Sequence, residues 1–297
     1  MSRNSNGSEE ETRRAGVRVR VGCHMSVSDG YAKMLHRAQE MSADVVQYFS
    51  KNPKSYRVRI FDPDVLRAER EKVAELDIIT VAHTPYVTNL ATSDSRLRET
   101  TIASIVNDLE IAEAYGSPYV IVHCGKHVGA GVEKGMELMV SAIDEVMTRY
   151  QGPVVLLLEN TAGQGTELGR TPGELLALRN ALADAERVAF CFDSCHSFAG
   201  GLWRPEDWDK VVGELEEGGF ADLVRVLHLN DCKMPYNSRR DRHELLGEGE
   251  IGAAGLQLFL QAEIFAGVPV IIESPVEEEA DYADEIAKAR QWLAGRS

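Results

Sequence analysis

The sequence predicts a single (β/α)8 barrel, and three observations carry that prediction. Short apolar runs rich in Val, Ile and Leu alternate with longer segments of helical spacing along nearly the whole chain. Several of those runs are almost continuously apolar, as strands covered on both faces must be. The competing architecture is a doubly wound open sheet. It would place a G-x-G-x-x-G turn after the first run, where the chain reads VGCHMSVSDG.

In chain order the expected strands are VRVRVGC (17–23), DVVQYF (44–49), DIITVAH (77–83) and PYVIVH (118–123), then VVLLLEN (154–160), VAFCFDS (188–194), VRVLHLN (224–230) and PVIIES (269–274). Each is followed by a helical pattern, such as LRETTIASIVNDLEIAEAYG (97–116) or GVEKGMELMVSAIDEVMTRY (131–150). No linker interrupts the interior, so residues 17–297 are expected to form one barrel domain. Residues 1–16 combine Ser, Asn, Gly and Glu without apolar periodicity and are expected to form a disordered extension.

Composition narrows the function classes. The 297 residues carry 47 acidic and 32 basic side chains, a formal net charge of −15, with 44% hydrophobic residues. No run reaches the roughly 18 apolar residues that span a bilayer, and the polar N-terminus has no signal-like apolar stretch. Five cysteines without a C-x-x-C pair argue against a disulfide framework and for the cytoplasm. Cys23, Cys124, Cys191, Cys195 and Cys232 are read as small buried hydrophobes. The acidic balance speaks against bulk polyanion binding, but net charge does not describe distribution. Lys51, Lys54, Arg57 and Arg59 share one stretch, and Lys233, Arg239, Arg240 and Arg242 another. Both fall in expected βα loops.

What ends each strand is more informative. His83, His123, Glu159, Asp193, His228 and Glu273 close strands three to eight, and His196, Asp241 and His243 lie just beyond strand ends. In such a barrel these positions converge on one face, where active sites are built. Imidazoles and carboxylates together are ligands for zinc, manganese and iron. Nine such groups are enough for two or three ions. Glu159 and Glu273 each end a strongly apolar run, and a buried carboxylate is costly unless it pairs with a lysine or binds a metal. His24 and His127 lie near the same face and are candidates for a supporting layer, whereas His36 falls inside a helix. Neither a Cys-His-Asn set nor a G-x-S-x-G elbow is evident, so nucleophilic acyl transfer is not favoured.

Four passages, LENTAGQG (158–165), FDSCHSFAGG (192–201), LHLNDCK (227–233) and SRRDRHELLGEGEIG (238–252), give the chain a resemblance to the endonuclease IV family of abasic-site (AP) endonucleases. Looser counterparts are GCHMSVSDG, FSKNPKS and AHTPYVTNL, so the resemblance runs from about residue 17 to about 275. It implies a xylose-isomerase-like TIM barrel holding three divalent ions, zinc or zinc with manganese. His83, His123 and Glu159 would hold one, with Glu159 bridging to a second held by Asp193, His228 and Glu273; His196, Asp241 and His243 would hold the third. The implied reaction is hydrolysis of the phosphodiester 5′ to an abasic site in duplex DNA, giving a 3′-hydroxyl and a 5′-deoxyribose phosphate, with 3′-end cleaning. Glu159 and Glu273 would be its catalytic carboxylates. Lys54, Tyr86 and Val87 map to the family's DNA-distorting residues, although Val87 is small for a wedge; Arg239 and Arg242 would add backbone contacts. A monomer in the cytoplasm, nucleoid-associated through DNA and without a membrane partner, completes the expectation. The alternative is a metal-dependent sugar isomerase or epimerase on the same barrel, which leaves His196, Asp241 and His243 without a purpose.

Overall fold

The computed structural model describes residues 19–295, so the expected extension over residues 1–16 lies outside the described residues. All eight expected runs form strands: β1 (Val21–His24), β2 (Val45–Phe49), β3 (Ile79–His83), β4 (Tyr119–His123), β5 (Val155–Glu159), β6 (Val188–Asp193) and β7 (Val224–His228), followed after a two-stranded ribbon, β8 (Asp231–Cys232) with β9 (His243–Glu244), by β10 (Val270–Ile272). The eight long strands are parallel and close into a barrel in the order β1-β10-β7-β6-β5-β4-β3-β2. The doubly wound alternative is thereby excluded.

A closed barrel needs an interior filled to packing density, and one face of each strand supplies it. Val45, Val81, Ile121, Leu157, Ala189, Cys191, Val226 and Ile271 form that inner layer, all buried. On β1, Gly22 faces a neighbour too close for any side chain: a Cβ there would lie 1.6 Å from the Val45 carbonyl oxygen. The opposite faces pack under the helices in one larger core that includes Phe190, Phe192, Trp203, Phe220 and Phe259. With both faces buried, the strands have no polar alternation to show.

The helices are α1 (Tyr31–Glu40), α2 (Pro63–Glu71), α3 (Ser95–Tyr115), α4 (Val132–Arg149), α5 (Pro172–Asn180), α6 (Ser194–Ala199), α7 (Trp208–Glu217), α8 (Gly252–Gln261) and α9 (Tyr282–Ala294). Local chemistry sets their ends. The Asp94 carboxylate accepts the Leu97 N–H at 2.7 Å to start α3, and Gly116, left-handed at φ 74, stops it. His36 sits on the exposed side of α1, as expected for a helix residue. Among the described residues, no helix is long and apolar enough to cross a membrane.

Candidate metal centre

The C-terminal ends of the strands bring all nine sequence-identified groups together. Glu159, fully buried at the end of β5, lies at their middle. Its Oε2 is 3.3 Å from His83 Nε2 and 3.1 Å from His123 Nε2, while its Oε1 is 3.0 Å from His196 Nδ1 and 3.2 Å from His228 Nδ1. One carboxylate thus faces four imidazoles, and among the described residues no lysine pairs with it. His228 Nδ1 also lies 3.2 Å from Glu273 Oε2 and 3.7 Å from Asp193 Oδ2. Beyond them, His196 Nε2 is 3.2 Å from Asp241 Oδ2, and His243 Nε2 is 3.4 Å from Asp241 Oδ1. Donor atoms of three sets lie within 4.8 Å of one another: His83–His123–Glu159, Asp193–His228–Glu273 and Asp193–His196–His243.

Each placement has a local cause. Asp193 ends β6 and also caps α6, accepting the His196 N–H at 2.6 Å; that bond turns His196 back over the barrel mouth. Asp241 and His243 come from the segment that leaves β7, runs through β8 and returns along β9. The buried carboxylate of Asp231 organises this segment. Its Oδ1 accepts the N–H groups of Cys232 (2.8 Å), Ile251 (3.1 Å) and Gly252 (3.3 Å), and its Oδ2 those of Gly247 (2.9 Å) and Gly249 (3.0 Å). A Cβ on Gly249 would fall 2.6 Å from that same carboxylate, so the close approach requires glycine.

The electrostatics suit cations. Burial alone would raise the Glu159 carboxyl, yet His123 and His228 hold it well below the usual range. Glu273 is likewise held down at about 2, His228 outweighing burial, while burial raises Asp193. Burial works against charge on His196 and His228, but Asp193 and Asp241 raise the first, and Cys191, Glu273 and Glu159 the second, well above the ordinary imidazole range. Ionised together, these carboxylates need compensating positive charge, which a divalent ion would supply in place of imidazole protons. His83, His196 and His243 each direct Nδ1 to a main-chain carbonyl, of Thr84 (2.7 Å), Asn160 (3.0 Å) and Glu273 (3.3 Å), the support that metal-ligating histidines ordinarily have. His243 Nε2 is buried without a hydrogen-bond partner. An unsatisfied nitrogen beside a carboxylate, with its ring already oriented, fits a metal ligand.

The remaining expected residues divide. His24 joins the site: burial holds its ring at about 4, and its Nδ1 meets the Gln47 amide at 2.9 Å. His127 does not join it; its Nδ1 instead accepts the Gly131 N–H of its own loop at 3.2 Å. Tyr86 is 67% exposed and stands near the mouth, where partial burial, then Glu273, Asp241 and Glu159, push its hydroxyl up to about 12. Val87 is half-buried, its carbonyl taken by the Tyr56 hydroxyl. Lys54, Arg239 and Arg242 are exposed. The first basic stretch is corrected: the Lys51 side chain does not face outward but is buried, 2.9 Å from Asp108, because a fully buried aspartate lies under that loop. All five cysteines are free and buried, and burial pushes the Cys191 thiol up to about 12.

Sequence reasoning missed three side-chain amides. Asn160 receives the Asp193 N–H at 2.7 Å. Asn230 donates to Asp193 Oδ2 at 2.6 Å and to Glu273 Oε2 at 3.1 Å, and receives the Glu273 N–H at 2.8 Å. Gln47 touches His24, His228 and Glu273. The signal that could have found them was position: Asn160 and Asn230 sit one and two residues beyond a ligand-type strand end, and Gln47 is the polar residue inside VVQYF.

A family profile described as xylose isomerase-like TIM barrel matches residues 35–295. "Probable endonuclease 4" of Symbiobacterium thermophilum is 44% identical over 275 residues, covering 93% of this chain and all of that protein. The crystal structure of endonuclease IV from Thermus thermophilus superposes with a TM-score of 0.79 at 31% identity, covering 93% of this chain and 99% of that one. A D-tagatose 3-epimerase-like protein superposes with a TM-score of 0.67 at 21% identity over 92% of this chain and 97% of that one, a likeness of fold alone.

Proposed function

The chain belongs to the endonuclease IV family of xylose isomerase-like TIM barrels, and on that premise we propose that it hydrolyses the phosphodiester 5′ to an abasic site in duplex DNA, leaving a 3′-hydroxyl and a 5′-deoxyribose phosphate. It is a nuclease of DNA repair. The observation that carries it is the contiguity of nine imidazoles and carboxylates around Glu159, eight of them in three close sets and Asp241 joined to them through His196 and His243, at a barrel mouth rimmed by exposed Lys54, Tyr86, Arg239 and Arg242.

His83, His123 and Glu159 would hold one divalent ion; Glu159, Asp193, His228 and Glu273 a second; and His196, Asp241 and His243 a third. Zinc suits all three sets, and manganese the carboxylate-rich one. Bound there, the ions supply acidified water near neutral pH and neutralise the charge that builds on the phosphate. The chain's own groups do the rest. The two oxygens of Glu159 face different histidines, which suits a bridging carboxylate. Glu273, its carboxylate gripped by the side-chain amides of Asn230 and Gln47, stays ionised and orients the attacking water. Tyr86 and Val87 occupy the place of a wedge that fills the vacated stack, and Lys54, Arg239 and Arg242 contact phosphates. Cleaning of blocked 3′ ends uses the same bond chemistry. A cytoplasmic monomer that meets the nucleoid through DNA completes the reading.

A sugar epimerase is the weaker reading. His196, Asp241 and His243 extend the cluster beyond what one or two ions need. The test is incision of a labelled duplex carrying one stable abasic analogue, beside an undamaged duplex, with protein as purified and again after chelator treatment. Cleavage 5′ to the lesion alone, lost with chelator and restored by zinc, supports the proposal. Equal cutting of both duplexes, or none by zinc-loaded protein, overturns it.

A further inference from the structure

His228 differs from the other supported histidines of the site. His83, His196 and His243 each rest Nδ1 on a main-chain carbonyl, His196 with Glu159 Oε1 also 3.0 Å away, whereas His228 Nδ1 faces two carboxylates, Glu159 and Glu273, at 3.2 Å from each. Its Nε2 points back across the barrel to Gln47 Oε1 at 2.8 Å. Gln47 itself is fully buried near the end of β2, a costly place for an amide that had no partners.

Donor and acceptor chemistry fixes the orientation of that amide. An ionised carboxylate only accepts, so the Gln47 atom 2.6 Å from Glu273 Oε1 is the NH2 group. The same NH2 lies 2.9 Å from His24 Nδ1, which therefore accepts. The carbonyl oxygen is left for His228, and because it too only accepts, His228 Nε2 carries a proton. With Nε2–H engaged in this way, the proton given up to a bound ion is the one on Nδ1, whose lone pair would then face the same point as the carboxylates. Meanwhile the grip on Glu273 Oε1 leaves Oε2 turned toward Nδ1.

We infer that Gln47 is a positioning residue of the second metal set: its amide selects the His228 tautomer that can ligate through Nδ1 and aims one oxygen of Glu273 at the same point. The inference rests on the reading of this face as a metal centre. A main-chain carbonyl performs this service elsewhere in the site; at His228 Nε2 a side chain from the facing strand takes its place.

Gln47→Met is nearly isosteric and removes both functions. Gln47→Leu is a second shape in case methionine does not pack, and far-UV circular dichroism of each protein checks folding. The measurement is zinc dissociation from the full chain by chelator competition, with zinc counted per chain. The wild type should hold three ions, and a folded variant should bind one of them about 10–100-fold more weakly, with the other two little changed. Long-range proton–nitrogen NMR of zinc-loaded wild type should place the His228 proton on Nε2. A folded variant with unchanged zinc number and affinities overturns the inference alone, as does a His228 proton on Nδ1. A wild-type chain that holds no zinc overturns the metal centre and this inference with it.

Discussion

Replacing Asp231 by Asn tests how the segment that carries Asp241 and His243 is held. The carboxylate accepts five backbone N–H groups, three on Oδ1 and two on Oδ2. An asparagine keeps one acceptor oxygen. Its better orientation leaves that oxygen with Cys232, Ile251 and Gly252 and turns an NH2 toward the N–H groups of Gly247 and Gly249. Two half-buried donors then lose their partners, at about 1–3 kcal/mol each, and the three surviving bonds lose the assistance of charge. Relaxation of the segment and entry of water offset part of that sum, so about 3 kcal/mol of stability should disappear. Urea unfolding of zinc-free protein measures the total, and hydrogen exchange at the Gly247 and Gly249 amides measures its location. Both amides should exchange far faster in the variant, and zinc should leave the His196–Asp241–His243 set first. Stability within about 1 kcal/mol of wild type, with both amides as protected as before, would show that Asp231 does not organise the segment.

Three further outcomes follow from the same geometry. Glu273→Gln should slow incision of the abasic duplex more than about 100-fold, beyond the range of an outer-layer loss, while gel-shift affinity for that duplex survives; incision at the parental rate would remove Glu273 from the reaction. Lys51→Met should cost about 3–5 kcal/mol by stranding the buried Asp108, yet leave the salt dependence of DNA binding unchanged, whereas Arg239→Ala should reduce the slope of log affinity against log salt by about 0.9. Denaturation midpoints and binding titrations at several salt concentrations separate these. At the surface, Arg149 donates to Glu99, and Arg98 and Arg149 both donate to Glu145; these bonds lower both carboxyl pKa values. A lowered folded value stabilises above the ordinary carboxyl range and is lost as pH falls through the lowered one. The stability gap between wild type and Arg149→Met should therefore be present at about pH 7 and narrow steadily as pH falls below the ordinary glutamate range; a constant gap would refute the linkage.

The fold was legible because a parallel barrel writes its strands as apolar runs, and the ligand-type residues because polar groups that end such runs have few other reasons to be there. His83, Glu159 and Glu273 are of this kind. The supporting amides were harder to read. Asn160, Asn230 and Gln47 act through bonds to residues far away along the chain, 181 positions in the case of Gln47 and His228, and pattern within one segment does not encode a partner in another. Lys51 misled for the same reason: a basic loop looks solvent-facing until Asp108, on α3, is known to lie beneath it. His127 sits beside the site in sequence, but its ring turns to a glycine N–H four residues on.

The loops after β2 and β3 are joined before any ligand arrives. The Tyr86 N–H donates to the Pro53 carbonyl at 2.9 Å, the Tyr56 hydroxyl donates to the Val87 carbonyl, and the Phe49 and Tyr86 rings meet edge to face with centroids 5.0 Å apart. On the proposed reading, Lys54 and Tyr86 would reach a duplex as parts of one stiff prow. Its ordering entropy is already spent in folding, so the deformation on encounter would fall to the softer body, the DNA. Lesions that make the helix locally pliable would yield to such a prow soonest, and mechanical compliance would then sort substrates before any chemical group is read.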